Sequence, residues 1–228
     1  IAHLGMTGKF FFINKKRIKK KTSFYYNLNT EKDSKHNHLI INFKDKSKLI
    51  YNDVRKFGFI KFDKFNNYKK NSHLKILGPE PLENDYNFRY FKEYIKGRNR
   101  TLKDLLMDQK FVSGLGNIYV CEALHRAGLS PRRQSGTLVR GADQPTERLE
   151  ALWTSCCDVL KEAIEAGGST LSDFRGVEGE LGYFPHSFRV YDREGQPCLG
   201  RDGVFCGQPV QRIVQSGRST FFCSACQR

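Results

Sequence analysis

The sequence predicts an α+β protein with several domains, because three kinds of pattern follow one another along its 228 residues. The first 65 residues carry short aromatic and β-branched runs separated by Lys, Asn and Asp, which is typical of strands. From about Asp85, apolar residues recur at the spacings of a helix. Near the end of the chain a cluster of cysteines indicates a metal-bound segment.

The elements follow in that order along the chain. A turn at residues 77–82 (LGPEPL) should end the strand layer, and the basic run at residues 15–21 is expected to be a solvated hairpin tip. A Gly-rich loop at residues 176–182 should separate the last helix from the terminal segment. We expect strands at residues 10–13, 23–26, 38–43, 57–62 and 188–191, and helices at residues 87–96, 101–108, 118–127 and 145–166.

The net charge of +15 and the isoelectric point of about 9.6 favour a polyanionic partner. The charge is uneven: residues 1–110 hold 21 Lys and 5 Arg against 11 acidic residues, whereas residues 111–228 hold 1 Lys and 12 Arg against 13. One hypothesis is that two genomic sources join near Lys110, and a chimeric reading frame without a stable fold is therefore one alternative. Resequencing the codons for residues 109–114 tests this hypothesis, since unbroken reads would remove it.

Four of the seven cysteines predict a zinc site. Cys223 and Cys226 are separated by two residues, so that both thiolates can bind one tetrahedral Zn²⁺. The 16 residues between Cys206 and Cys223 suit one hairpin, whereas the seven between Cys198 and Cys206 must bulge outwards. Four protein ligands leave no position for water, so the zinc would be structural; reduced cysteines without metal are the alternative. The other three are expected to be buried thiols: Cys121, Cys156 and Cys157.

Two further segments suit the binding of a phosphate. Residues 114–117 (GLGN) open a helix, where backbone N–H groups and the side chain of Asn117 can face an anion. Arg218 follows Gly217 at the tip of the expected hairpin, where a guanidinium can form two hydrogen bonds to one phosphate. Helix capping and solvation explain the same residues equally well when each is taken alone. Glu122, one turn into the helix, is expected to be structural rather than catalytic.

Taken together, these segments resemble the formamidopyrimidine-DNA glycosylases over nearly the whole chain. The ordered co-occurrence of so many motifs is very specific. The matching stretches are residues 3–8 (HLGMTG), 35–38 (KHNH), 53–58 (DVRKFG), 77–82 (LGPEPL), 106–109 (LMDQ), 114–124 (GLGNIYVCEAL), 167–174 (GGSTLSDF), 182–184 (GYF), 190–191 (VY) and 217–223 (GRSTFFC).

The resemblance implies a partial β-sandwich domain over residues 1–82, a helix–two-turns–helix domain over residues 83–186 and a zinc-finger hairpin over residues 187–228, with DNA in the cleft between them. It also implies base-excision repair of 8-oxoguanine and formamidopyrimidines. A damaged purine would be flipped out of the duplex, and an N-terminal proline amine would attack the sugar C1′. β- and δ-elimination would then cut the strand.

The partners follow from the same resemblance. We expect a bacterial, cytoplasmic and nucleoid-associated monomer that holds one structural Zn²⁺. Its substrate would be double-stranded DNA with an oxidised purine or an abasic site, and no membrane would be involved.

The resemblance also assigns residues. Met6, Arg55 and Phe57 match the residues that fill the space left by the flipped base, and a flexible apolar chain, a cation and an aromatic wedge suit that space. Residues 169–184 match the loop that closes over the extruded base. Arg218 matches a catalytic position assigned to δ-elimination, and Arg98 stands where the family commonly has Lys. The positions that match DNA contacts are His36, Arg55, Arg98, Asn117 and Arg218, and those that match metal ligands are Cys198, Cys206, Cys223 and Cys226.

The catalytic amine is the main departure from the family pattern. The family's N-terminal proline, the glutamate beside it and the lysine of an early strand would all precede Ile1. Without a secondary amine no Schiff base forms by the family route. The polypeptide as written is therefore expected to bind DNA weakly and to lack glycosylase activity, and a non-catalytic zinc-dependent damaged-DNA-binding fragment is the alternative function.

Borohydride trapping tests this expectation. The polypeptide as written, incubated with an 8-oxoguanine duplex and borohydride, should give no covalent protein–DNA adduct, because reduction traps only a Schiff base. A trapped adduct would contradict the expectation.

Overall fold

The computed structural model describes residues 1–5, 7–14, 19–21, 34–64, 70–168 and 187–228. The chain divides into two compact units, Ile1–Leu74 with Ala166–Pro185 and Lys75–Glu165 with His186–Arg228. The strand expected at residues 23–26, the loop at residues 169–184 and Met6 lie outside the described residues. The domain boundaries expected after residues 82 and 186 stay a prediction.

The first unit is a sheet domain, as predicted. Four strands form an antiparallel sheet in the order β3-β2-β5-β4, and β1 pairs separately with β6. Phe11 on β2 and Tyr51 on β5 are buried. The strands are β1 (Ala2–His3), β2 (Gly8–Ile13), β3 (Lys19–Lys21), β4 (Asn37–Asn42), β5 (Lys48–Asp53) and β6 (Phe59–Ile60).

Two predictions in this unit are corrected by the structure. The hairpin tip expected at residues 15–21 is shorter than predicted, because Lys19–Lys21 forms β3 and pairs with β2, while residues 15–18 lie outside the described residues. The strand expected at residues 57–62 is reduced to Phe59–Ile60. The backbone leaves the extended conformation at Lys56, which has a φ of 57°, and the Gly58 N–H is bound by a side chain.

The second unit is helical and ends in a hairpin. Asn87 caps the first helix by accepting the Tyr90 N–H at 2.9 Å, and Thr101 caps the second in the same way. None of the helices in the described ranges combines the length and the apolar composition that a bilayer crossing demands. The elements are α1 (Phe88–Ile95), α2 (Leu102–Leu106), α3 (Asn117–Arg126), β7 (Val139–Arg140), β8 (Gln144–Pro145), α4 (Glu147–Glu165), β9 (Gln211–Gln215) and β10 (Arg218–Phe222).

Packing in this unit follows the apolar spacing of the sequence. Two turns join α2 to α3, which gives the expected helix–two-turns–helix arrangement. On α4 the buried apolar residues recur at intervals of three and four, so one face packs against the unit's core, including α3. They are Leu149, Leu152, Cys156, Val159 and Ala163.

The strand expected at residues 188–191 is wrong. Phe188 and Val190 are buried, which accounts for their alternation in the sequence. The backbone there pairs with a side chain instead of a strand: the N–H groups of residues 189, 190 and 191 donate to the Glu122 carboxylate at 2.9, 3.0 and 2.8 Å. Burial raises the pKa of Glu122, and the three amide donors oppose that shift. Glu122 is therefore structural, as expected, and ties α3 to the segment that enters the zinc hairpin.

Glu122→Gln should destabilise the chain. The amide can accept with one oxygen only and directs an NH₂ group at backbone donors, so we expect a loss of about 3 kcal/mol in the free energy of unfolding. Glu162→Gln is the matched control, because Glu162 forms an ion pair with Arg126 in which both side chains are partly exposed. That pair should contribute less than about 1 kcal/mol. Urea unfolding measures both, and equal losses would contradict the role given to Glu122.

Candidate metal centre and nucleic-acid interface

The four predicted metal ligands form one cluster. The Sγ atoms of Cys198, Cys206, Cys223 and Cys226 all lie within 4.8 Å of one another. The Cys198–Cys226 and Cys206–Cys223 Sγ distances are 3.9 and 3.8 Å. These distances exceed a disulfide bond of about 2.05 Å. They match the edge of about 3.8 Å of a tetrahedron with Zn–S bonds of about 2.3 Å. The cluster therefore fits one zinc ion with no open ligand position.

The Cys198 thiolate has two hydrogen-bond partners near the metal position. The Gly200 N–H donates to Sγ at 3.3 Å, and His125 Nε2 lies 3.3 Å from the same atom. Burial, with the charges of nearby arginines, lowers the pKa of His125 to about 4, so the ring is neutral at pH 7. A neutral imidazole can donate its single N–H to a thiolate and thereby orient it. No pattern in the sequence indicated that this histidine lies beside the cluster.

The hairpin between the cysteine pairs has a tight two-residue tip. Ser216 and Gly217 have φ angles of 50° and 72°, and Arg218 is the next residue, the first of β10. Positive φ at both central residues is the requirement of a type I′ turn. Ser216 Oγ donates to Asp104 Oδ1 at 2.5 Å, and Gln215 Nε2 donates to Thr101 Oγ1 at 2.7 Å. The start of α2 therefore fixes the tip that presents exposed Arg218.

Asn117 joins the start of α3 to the hairpin. Its Nδ2 donates to the carbonyl oxygen of Ser219 at 2.9 Å, next to Arg218 along β10. Its Oδ1 accepts from Lys103 Nζ at 2.5 Å. This hydrogen bond holds Asn117 next to the strand that carries Arg218, although the two predicted phosphate-binding residues are about a hundred residues apart in the sequence.

Lys103 was missed in the sequence, where it appeared as one more basic residue of a helix. It is 1% exposed, and its Nζ also lies 3.1 Å from Cys121 Sγ. Burial lowers the pKa of Lys103, and the charge of Arg218 lowers it further, while Cys121 and Asp104 oppose the shift. Burial raises the pKa of Cys121, so a thiol faces the lysine. The only sequence signal was a lysine directly after Leu102 in a short helix that contains three leucines.

The first unit presents Arg55 and Phe57 on the loop between β5 and β6. Phe57 is 59% exposed, and the Arg55 guanidinium lies 4.8 Å from the centre of its ring. His36 ends a short 3₁₀ helix, Ser34–His36, just before β4. Met6, the third residue expected to fill the space left by a base, lies outside the described residues.

Arg98 is exposed three residues after the end of α1. Its guanidinium stacks 4.1 Å from the centre of the Tyr94 ring, and its Nε donates to the Tyr94 carbonyl oxygen.

Of the three thiols that we expected to be buried, Cys121 and Cys156 are buried, whereas Cys157 is half-buried.

Three family models match the chain. The formamidopyrimidine-DNA glycosylase N-terminal domain matches residues 1–60, the formamidopyrimidine-DNA glycosylase H2TH domain matches residues 77–175, and the zinc finger found in FPG and IleRS matches residues 195–228. Curated relatives agree. The formamidopyrimidine-DNA glycosylase of Azorhizobium caulinodans is 47% identical over 228 residues, covering 100% of this chain and 76% of that protein. The chain belongs to the formamidopyrimidine-DNA glycosylase family.

Other members of the family show the same agreement in sequence and fold. The formamidopyrimidine-DNA glycosylase of Rhodopseudomonas palustris is 44% identical over 228 residues, again 100% of this chain and 76% of the relative. The crystal structure of the MutM (Fpg) protein from Thermus thermophilus has a TM-score of 0.77 at 37% identity, with 99% of this chain and 74% of that chain covered. A complex of Lactococcus lactis Fpg with abasic-site DNA has a TM-score of 0.77 at 30% identity, covering 100% and 74%.

Purified protein of this family member should contain one zinc ion per chain. Cys223→Ser removes one of the four ligands, so we expect this variant to lose the metal on dialysis. Cys157→Ser is the matched control, because Cys157 Sγ donates to the Pro81 carbonyl oxygen away from the cluster. Elemental analysis measures the zinc content of each protein. A metal-free wild type, or a Cys223→Ser variant that keeps its zinc, would contradict the zinc centre.

Proposed function

We propose that the chain binds double-stranded DNA at an oxidised purine or an abasic site, in the base-excision reaction of a DNA glycosylase and AP lyase. Solved relatives at 30% identity include Lactococcus lactis Fpg in complex with abasic-site DNA. In the family's reaction 8-oxoguanine and formamidopyrimidines are removed, and β- and δ-elimination follow; the residues of this chain would supply DNA contacts of that reaction, in keeping with the expectation that the polypeptide as written forms no Schiff base. We propose that the protein acts as a cytoplasmic, nucleoid-associated monomer.

The hydrogen bond from Asn117 to Ser219, the residue directly after Arg218, is the observation that carries the proposal. α3 begins at Asn117, so the positive end of the helix dipole lies beside this residue and favours an anion there. Asn117 fixes the strand that carries Arg218. A helix end and a guanidinium held together in this way can bind the two phosphates that flank one nucleotide.

Electrostatics around Arg218 favour the same function. A cavity of about 150 Å³ beside it is lined by two further cations, Arg100 and Lys103, and by two acids, Asp104 and Asp108. Both acids already have partners. Asp108 forms an ion pair with Arg100 at 2.6 Å, and Asp104 accepts a hydrogen bond from the Ser216 hydroxyl. Arg218 is left exposed at the tip, where its charge can stabilise a departing phosphate in δ-elimination.

The first unit would act on the space that the flipped base leaves. Phe57 presents an aromatic wedge, and Arg55 presents a cation that can meet the unpaired partner base. We propose Met6 as the third residue of this group, His36 and Arg98 as further DNA contacts, and residues 169–184 as the loop over the extruded base. The domain boundaries at residues 82 and 186 are part of the same proposal.

Arg218→Ala should weaken binding to a duplex with a tetrahydrofuran abasic site. We expect about a tenfold loss of affinity at moderate salt. The slope of log K against log salt should also become shallower by about one, the amount that one phosphate contact contributes. Fluorescence anisotropy over a salt series measures both values.

Arg212→Ala is the matched control, because Arg212 is an exposed arginine of the same hairpin that bonds to Ser219 Oγ and Glu194. Its removal should leave the salt slope close to that of the wild type. If wild-type protein binds abasic-site and intact duplexes equally, the proposed function is wrong. Equal effects of the two substitutions would remove the special role of Arg218.

A further inference from the structure

We propose that Asp53 is a positioning residue that fastens two loops into one rigid wedge for insertion into the duplex. One loop contributes Gly5 and Thr7, just before β2, and the other is residues 54–58, which carries Arg55 and Phe57. This inference rests on the proposed role of these loops in filling the space left by a base.

The Asp53 carboxylate lies between the two loops. It is 1% exposed, at the end of β5. Oδ1 accepts from the Thr7 hydroxyl and from the Arg55 N–H at 3.3 Å. Oδ2 accepts from the Gly58 N–H at 2.9 Å and from the Tyr51 hydroxyl at 3.1 Å. Donors from both loops therefore converge on one side chain.

Thr7 connects the loops a second time. While its hydroxyl donates to Asp53, the same oxygen accepts the Arg55 N–H at 3.0 Å. The backbone that carries Arg55 is thus bound to a residue directly after Met6. A threonine hydroxyl can donate once and accept twice, so this geometry uses groups that a valine of the same shape lacks.

Two glycines allow the loops to approach this closely. A Cβ at Gly58 would lie 2.0 Å from the Tyr51 hydroxyl oxygen and 2.6 Å from the His3 carbonyl oxygen. Gly5 has a φ of 60°, and a Cβ there would lie 2.9 Å from the Phe57 carbonyl carbon. The backbones of the two loops therefore pack against each other around the carboxylate.

Stability alone does not account for a carboxylate at this position. The four donors that converge on Asp53 are two hydroxyls and two backbone amides, and burying an ion among neutral groups carries a large desolvation cost. Burial by itself would raise the pKa of Asp53, but the hydrogen bonds outweigh it and lower the pKa below the usual value. Only an ionised carboxylate accepts from all four donors, whereas asparagine brings an NH₂ group of its own.

The consequence is a preformed wedge. Arg55 stacks on exposed Phe57 above the loop that Asp53 holds. A loop already ordered in water loses less conformational entropy on insertion than a mobile loop would lose. Asp53 would therefore act on the insertion step through Arg55 and Phe57, without touching DNA itself.

Asp53→Asn tests the proposal with the 228-residue chain and a duplex that carries 2-aminopurine opposite a tetrahydrofuran abasic site. Insertion of the wedge unstacks the 2-aminopurine and raises its fluorescence. We expect Asp53→Asn to need about tenfold more protein for the same signal, because two side chains must be ordered during insertion. The slope of affinity against salt should stay that of the wild type, since the second unit's phosphate contacts are unchanged.

Asp45→Asn is the matched control, because Asp45 Oδ1 accepts the Ser47 N–H and hydroxyl at the opposite end of β5. It should leave the fluorescence response unchanged. If Asp53→Asn does not fold, Thr7→Val and Thr7→Ser replace it: Val should lose the response and Ser, which keeps the hydroxyl, should retain it.

The outcomes separate the two claims. A wild type that gives no damage-dependent fluorescence overturns the proposed function. A wild type that responds, together with a folded Asp53→Asn or Thr7→Val variant that responds equally well, overturns the role of Asp53 alone.

Discussion

The zinc hairpin depends on two polar side chains of α3 for its position. Glu122 binds three consecutive backbone amides at the entrance to the hairpin, and Asn117 binds the carbonyl oxygen of Ser219 on its second strand. A two-stranded hairpin is at best marginally stable in water, so it needs the metal and this attachment together. The metal closes the hairpin, and the helix determines where Arg218 points.

Local patterns in the sequence were sufficient for much of this site. Cysteine spacing predicted the metal cluster because a Zn²⁺ ion restricts its ligands to few separations. Asn117 and Arg218 were singled out as candidates for phosphate binding because glycines next to them mark a helix start and a hairpin tip. The α+β order of the domains was also readable, since strand and helix periodicities differ.

The errors and omissions have a common physical origin. Residues 188–191 alternate like a strand because Phe188 and Val190 are buried, but their amides bind Glu122. Lys103 and Asp53 looked like ordinary charged residues, because their partners lie far away in the sequence or on backbone atoms. Hydrogen bonds from side chains to backbone groups produce no periodic pattern in the sequence, so they are recognised only in the three-dimensional structure.

The central claim is that Asn117 and Arg218 act as one unit, and a double-mutant cycle tests it most directly. Affinities for abasic-site DNA would be measured for wild type, Asn117→Ala, Arg218→Ala and the double variant. The account predicts that the double variant loses less than the sum of the single losses, by at least about 0.5 kcal/mol, because Asn117 holds the strand that carries Arg218. Strictly additive losses would contradict it.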